Sequence, residues 1–436
     1  MLSERELSER IRAMPGMDRI VAALAGGPPS YLVGGAVRDL LLGRDPVDVD
    51  IAVEGDAAAA AGPLAVALGG TVEPHRRFGT ATVTLPPEVA AGGPWLREIN
   101  LAGTRRETYQ VPGALPEVVP APLAEDLRRR DFTVNAMAFD LDGRRQALHD
   151  PFGGRDDLAA GLIRVLHPGS FEDDPTRLLR AIRYSVRLGF ALEAETERLA
   201  RSAVADGAPG TVSGSRVCDE LCDLLAEPEA SAGVALLGEL GLDRALCPAL
   251  SADADLVAGA QLAAAEIGAD PVLAALAALL CPRPGGVGGL PARGVDAVDG
   301  TADRFAEGAA WVDRLGIGAG ARDAVVRAAA VAPELSERLG APLRPSQLRR
   351  LLDGEPPEAL ALALALGAPS EPVLDYSGRL RHVRLEVAGS DLLAAGVAPS
   401  PALGRALDLA LDRKLDGELA GRDAELAAAL AAAREA

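Results

Sequence analysis

The pattern of hydrophobic and polar positions separates an N-terminal third, where alternating runs interleave with helical ones, from a long remainder with helical spacing alone. Residues 2–25 place Leu7, Ile11, Met14 and Ile20-Val21 at helical spacing and predict one amphipathic helix, stopped by Gly26-Gly27-Pro28-Pro29. Tyr31 to Val33 is a short apolar run closed by Gly34-Gly35, after which AVRDLLLG resumes a helical period. Beyond a turn at Gly43-Arg44-Asp45-Pro46, VDVDIAV alternates strictly. Strand side chains repeat every second residue, so Asp48 and Asp50 share one face while Val47, Val49 and Ile51 take the other. A helix over DAAAAAGPLAVALGG, a strand at 80–85, a Pro/Gly-rich hairpin loop at 86–94 and a returning strand, LREINLA, complete a small mixed sheet with helices.

From residue 150, DPFGGRDDLAAGLIRVL carries the Asp-Pro and Gly-Gly chemistry of a hinge, with Asp150 and Asp157 organising turns rather than binding ligands. In FEDDPTRLLRAIRYSVRLGF (171–190), Leu178, Leu179, Ile182 and Val186 share one helical face, and Arg177, Arg180 and Arg183 step along another side. Pro175 suits the first turn of that helix and Asp173 or Asp174 its N-terminus. Residues 211–225 predict a further helix. From about 229 the chain is helical and Ala/Leu-rich, broken by a Pro/Gly-rich surface loop at 281–294 and including a capped helix with a basic side at 342–352. The expected organisation is an N-terminal helix (1–27), a head (28–150), a neck (151–228), a helical body (229–340) and a helical tail (341–436).

Composition narrows the class without choosing a function. The 436 residues are 49% hydrophobic and 25% charged, which fits several compact units of an ordinary soluble protein. No apolar run reaches the ~20 residues that cross a bilayer, and MLSERELSERIRAM is charged where a signal sequence would be apolar. A cytoplasmic protein that meets no membrane is expected. Cys218, Cys222, Cys247 and Cys281 lack zinc spacing and read as packing residues in a reducing compartment. A net charge of −19 argues against broad binding to nucleic acid, DNA included, and leaves a local basic track as the way to meet phosphates. No oligomeric state is implied.

Two places concentrate chemistry. A strand ending in Gly34-Gly35 at a helix start lets the backbone approach an oxyanion, with Arg38 one turn on to reach a polyphosphate. Asp48 and Asp50 add two hard oxygen donors, suited to Mg²⁺ carrying a nucleoside triphosphate. Alone, Gly-Gly is a tight turn and Asp-x-Asp a solvated face; together at this spacing they point to nucleotide chemistry. On the 171–190 helix, a carboxylate at Asp174 accepts from an exocyclic amine, which C and A carry and U lacks. Arg177 can donate to the ring acceptors of the same base edge.

These residues resemble a known family. YLVGGAVRDLLLG followed by DVD is similar to the GGxVRDxLLG…DxD signature of class II tRNA nucleotidyltransferases and the related bacterial poly(A) polymerases. HRRFG (75–79), GTRRETYQVPGALPEV (103–118), RRDFTVNAMA (129–138) and DDPTR with LRAIRY on the Arg-rich helix resemble further motifs of that family. The TVSGSRVCDELCDLL helix keeps Glu220 but has Ser215 in place of a usual Glu, and 385–430 resembles the family's tail.

The resemblance implies an α/β nucleotidyltransferase head with a small mixed β-sheet, followed by all-α neck, body and tail. It implies template-independent addition of CCA, from CTP and ATP, to the 3′ acceptor end of tRNA. CC-only, A-only and poly(A) addition share the same signals; the acidic charge and the absence of a long basic C-terminal extension weigh against poly(A). An RNA-binding protein with a dead head would have lost Asp48 or Asp50, and both are present.

By the same resemblance, Asp48 and Asp50 hold two Mg²⁺ ions, and Gly34, Gly35, Arg38 and Arg130 bind phosphates. Asp131 accepts the ribose 2′-hydroxyl, and Asn135 fixes the turn. Asp174 and Arg177 select the base, and Arg180 and Arg183 face the triphosphate. Asn100 stands where many relatives carry an acid, so metal is assigned to the two aspartates alone, and Asp173 stands where Glu is usual. The tRNA arm would lie along the helical segments, read by shape and phosphates. Arg405, Arg413 and Lys414 either touch those phosphates or form a solvated helix face.

Overall fold

In a computed structural model of the chain, which describes residues 2–75, 79–141, 147–281 and 301–435, the alternating run becomes the strand β2 (Val49–Val53). Arg76, Arg77 and Phe78 of the HRRFG segment, and loop residues 282–294, lie outside the described residues. The chain forms two compact units, Met1–Glu220 and Leu221–Ala436.

In the first unit Val49, Ile51 and Val53 are buried on one face of β2, and Asp50 and Ala52 occupy the other. Val47, expected on the same strand face as Val49 and Ile51, lies before the strand and is 71% exposed. The ladders with both neighbouring strands end at Val49 and Asp50, so nothing holds the chain extended before them. β1 (Ser30–Val33) lies between β2 and β8 (Ala138–Asp140), antiparallel to both. On its other edge β2 pairs in parallel with β5 (Glu98–Gly103), which continues antiparallel to β4 (Thr80–Thr84) and then β3 (Thr71–His75). With β9 (Leu148–His149) the order is β3-β4-β5-β2-β1-β8-β9. A separate hairpin joins β6 (Arg105–Thr108) to β7 (Glu117–Pro120).

The first residues form two helices rather than the one expected, α1 (Glu4–Ala13) and α2 (Met17–Leu24). The first helix ends where Met14, next to Pro15, turns extended (ψ 133°), and Gly16 at φ +78° then stands at the start of the second. α3 (Gly35–Leu41) follows the glycine turn. α4 (Ala57–Leu68), capped by the Asp56 carboxylate, packs on β3, β4 and β5 with Ala61 and Leu64 fully buried. The 86–94 loop contains a turn of helix, α5 (Pro87–Ala90). α6 (Leu123–Arg128) lays Leu123 and Leu127 against Tyr31, Val33, Ala52 and Ala138. Ala52 shares its strand face with Asp50, so this small apolar cluster delivers the residues that follow α6 to the aspartates.

Beyond it come α7 (Gly154–Ala160), α8 (Ser170–Asp173), α9 (Thr176–Leu188), α10 (Ala194–Ala205) and α11 (Gly214–Leu225). Asp150 accepts the Gly154 and Arg155 N–H groups at 2.7 and 3.0 Å, the turn-organising role expected of it. Asp157 likewise is internal, accepting from Thr133 Oγ1 at 2.6 Å and from Arg164.

In the second unit the described residues are helical. Ala254–Ile267, Pro271–Leu280, Ala319–Leu339 and Pro357–Ala365 pack together through buried alanines such as Ala274, Ala278, Ala328 and Ala361. The basic side expected at 342–352 is spent on ion pairs: Arg344 with Asp416 (3.4 Å), Arg349 with Asp353 (3.4 Å) and Arg350 with Asp412. Lys414, one of three candidates for RNA phosphates, instead points inward. Its Nζ lies 2.6 Å from the fully buried carboxylate of Glu425 and donates to the Arg384 carbonyl at 2.9 Å. Arg413 pairs with Glu418 at 2.8 Å, and Arg405 is exposed. Among the described residues no helix is long and apolar enough to cross a membrane.

A buried carboxylate stripped of its cation is far costlier than a lost surface pair. Lys414→Met is therefore expected to lower unfolding stability by about 2–3 kcal/mol, whereas Arg405→Ala stays within about 0.5 kcal/mol. Urea midpoints of the two variants check this.

Candidate active site

The sheet places Asp50 in a row of polar side chains. β2 and β5 pair Asp50 with Asn100, and β4 pairs Thr82 with Asn100 from the other side. Thr82 Oγ1 donates to Asn100 Oδ1 at 3.1 Å. Asp48 lines the same cavity just before the strand begins. Burial and then the charge of Asp48 push the Asp50 carboxyl above its ordinary range, against the opposing pull of Arg130 and a hydrogen bond with Asn100. Among the described residues no group of three or more His, Cys, Asp or Glu is placed to hold a metal.

At the end of β1, Gly34 takes φ +69°, and its N–H donates to the Met137 carbonyl at 3.1 Å. The backbone angle favours glycine, and a Cβ here, 2.8 Å from Arg130 Nη1, would push that guanidinium aside. Gly34, Gly35 and Arg38 all line the cavity. Arg38 is not the free arm that its spacing suggests. It is 4% exposed, with Nε on Asp39 at 2.8 Å and Nη1 on Asn135 at 2.7 Å.

The RRD turn after α6 is tightly wired. Asp126, 1% exposed, accepts from Arg129 at 2.8 Å, Arg130 at 3.2 Å and the Arg105 N–H at 3.2 Å. Burial works to raise its carboxyl, but the charges of Arg129 and Arg130 hold it below the usual range. The Nε of Arg130 is buried with no acceptor among the described residues. Both oxygens of Asp131 are engaged: Oδ1 accepts from the Phe132 N–H (2.8 Å) and Asn135 (3.0 Å), Oδ2 from Arg180 (2.6 and 3.0 Å). Desolvation alone would raise Asp131, yet Arg180 and these donors bring it down to about 2.

The Arg-rich helix begins later than its sequence suggests. Asp174 is extended (φ −139°, ψ 94°) and separates α8 from α9. Its Oδ1 accepts from Thr176 N, Thr176 Oγ1 and Arg216, at 3.1, 2.7 and 2.7 Å. Oδ2 has no protein donor among the described residues. Arg177 is 5% exposed, its Nη1 on Ser170 Oγ (2.7 Å) and its Nη2 on the Arg129 carbonyl (2.7 Å). Arg180 and Arg183 share the Glu220 carboxylate at 2.9 and 2.8 Å. Arg177 and Arg183 are thus buried, not members of a solvated stripe.

All eleven residues singled out in the sequence line one cavity of about 700 Å³. Its wall carries eight arginines against six carboxylates, a locally positive site on a chain of net charge −19. Sequence reasoning missed Arg216, Glu107, Tyr109 and Tyr184. Glu107 holds Arg105, Arg129 and the Tyr109 hydroxyl at 2.9–3.1 Å, and burial with that carboxylate raises the phenol of Tyr109. Only the length of the family-like segment 103–118 signalled this cluster.

A mixed sheet with two aspartates beside a glycine turn, facing an arginine-lined cavity, is a nucleotidyltransferase head. Residues 30–164 match the poly A polymerase head domain. The A-adding tRNA nucleotidyltransferase of Geobacter sulfurreducens is 42% identical over 223 residues, covering 51% of this chain and 24% of that protein. The CC-adding tRNA nucleotidyltransferase of Deinococcus radiodurans is 35% identical over 382 residues, 86% of this chain and 82% of that protein. A solved CCA-adding enzyme in complex with CTP superposes with a TM-score of 0.77 at 28% identity, covering 99% and 98% of the two chains. The chain spans only 22–49% of the length of the A-adding relatives it matches. With the Deinococcus protein matched over most of both chains, this chain belongs to the tRNA nucleotidyltransferase family.

Asp131 sits near 2 when folded and near ~3.9 when unfolded, so its pairing stabilises the fold above about pH 4 and is lost as pH falls through about 2. Arg180→Ala removes that contribution. The stability gap between wild type and variant should be full at pH 7 and shrink below about pH 4. Urea unfolding across that range measures it.

Proposed function

We propose that the protein adds CCA to the 3′ acceptor end of tRNA, taking CTP and ATP, without a nucleic-acid template. The observation that carries this reading is one cavity holding both Asp48 and Asp50 and the pair Asp174 and Arg177. The first pair suits phosphate chemistry and the second suits a base edge.

The donor set fits Mg²⁺. Two carboxylates, one raised partly by the charge of the other, favour a divalent ion that brings further ligands with the substrate phosphates. Asp48 and Asp50 would hold it, in the two-metal arrangement that the motif implies. When bound there, Mg²⁺ would offset triphosphate charge and acidify the primer 3′-hydroxyl. Arg130, with its unengaged Nε, and the Gly34-Gly35 turn would receive phosphate oxygens. Arg180, Arg183 and Arg38 supply fixed positive charge behind them. Asp174 Oδ2 would accept from the exocyclic amine of cytosine or adenine, and Arg177 would donate to the ring acceptors.

Asp131, with every oxygen already engaged, would act on the ribose 2′-hydroxyl only by sharing an oxygen with Arg180. The division of the remaining chain into neck (151–228), body (229–340) and tail (341–436), with the tRNA arm along the helices, belongs to the same reading. A CC-only enzyme is the second reading, favoured by the length-wide match to a CC-adding relative.

Incubation with tRNA lacking CCA, lacking CA or lacking the terminal A, with labelled CTP and ATP, decides between them. Full activity extends all three to CCA; a CC-adding enzyme stops one residue short and leaves the third unchanged. Asp48→Ala should reduce incorporation about a thousandfold or more while tRNA binding, read by gel shift, stays within about twofold. Unreduced incorporation would remove the metal assignment.

A further inference from the structure

Three guanidinium groups meet at one phenol ring. Tyr184, half-buried on α9 and lining the cavity, has the Cζ atoms of Arg38, Arg180 and Arg183 at 5.2, 5.4 and 5.3 Å from its ring centroid. Each lies within the ~6 Å over which an aromatic quadrupole attracts a cation. The hydroxyl accepts from Arg180 Nη2 at 3.2 Å. Phe132, fully buried, fixes the ring in a T-shaped contact at 5.8 Å and 79°. Arg180 and Arg183 share the helix of Tyr184, but Arg38 comes from α3. The ring therefore ties the helix after the glycine turn to the helix that carries Arg177.

The difficulty it resolves is repulsion. Cations meant to serve one polyphosphate repel each other before it arrives. Asp39, Asp131 and Glu220 each hold one or two of them. A further carboxylate at position 184 would compete with phosphate for the same N–H donors. The ring face attracts the charge without taking an N–H donor of its own, and only the hydroxyl draws on one, from Arg180. We propose that Tyr184 is a positioning residue for the triphosphate, its ring presetting the guanidinium groups of Arg38, Arg180 and Arg183 as one anion cradle.

The inference rests on the cavity being a triphosphate site, and the test separates the two. Binding of inorganic tripolyphosphate to the full chain is measured by calorimetry with MgCl₂ present. Tyr184→Leu should weaken it about tenfold, and Tyr184→Phe, which keeps the ring, less than about threefold. In turnover, KM for CTP should rise in Tyr184→Leu while kcat and KM for tRNA move little. If the wild type does not bind tripolyphosphate, the cavity reading fails and this one with it. If the wild type binds and Tyr184→Leu binds equally well, or Tyr184→Phe loses as much as Tyr184→Leu, the positioning role is overturned. Should Tyr184→Leu not fold, Tyr184→Met, unbranched and without a ring, is read by the same criteria.

Discussion

The site depends on Arg180. Its guanidinium joins Asp131, on the turn after α6, to Glu220, on α11, and Glu220 in turn holds Arg183. Removing these charges from water is expensive, and a buried ion pair by itself is poor support for stability. What this network supplies is geometry. Arg180 serves both carboxylates, so it cannot swing away without stripping the buried Asp131 of the cation beside it. Arginine rather than lysine suits this work, because a planar fork can serve two carboxylates and still lie beside a ring.

That wiring reconciles an acidic protein with the anionic substrate proposed for it. A chain of net charge −19 has no general attraction for RNA, yet the wall of one cavity is positive. Most of its arginines are already paired, so their charge is fixed in place rather than mobile. Ordering costs that a flexible cationic loop would incur on binding are met during folding instead. The same logic explains the second unit, where Lys414, Arg344 and Arg350 are spent on neighbouring acids.

The strand carrying Asp50 was legible because its period of two is a local property, although it begins one residue after Asp48, which the alternation places on it. The Arg-rich helix was legible because Leu178, Leu179 and Ile182 mark its buried face and are buried in the structure. The RRD turn could be placed only by its motif, since the packing of Leu123 and Leu127 on Ala52 that delivers it is non-local. Partners were the illegible part. Nothing around Tyr184 announces that Arg38, from a helix far back in the sequence, packs on its ring. Nothing near Lys414 announces that Glu425 waits beneath it. An arginine stripe and a buried ionic network have the same spacing, and only the fold shows which carboxylates come to meet it. Met14-Pro15 misled for a different reason: apolar spacing runs on through it, and one extended residue before a proline ends the helix without disturbing that period.

Asn100 shows how a small departure can be structural sense. Its position beside Asp50 on the parallel neighbour would, with an acid, put a third negative charge against a carboxyl already raised by burial and by Asp48. An amide reverses that effect. Its Oδ1 is occupied by Thr82, which leaves its N–H₂ group for Asp50, and the resulting hydrogen bond favours the ionised carboxylate. The pair of aspartates is thereby kept closer to the charge state that a divalent ion requires. The amide cannot serve as a third anionic ligand, so a further anionic oxygen around an ion held there would come from the triphosphate. Under the proposed function, a site built in this way would bind cation and nucleotide together better than either alone.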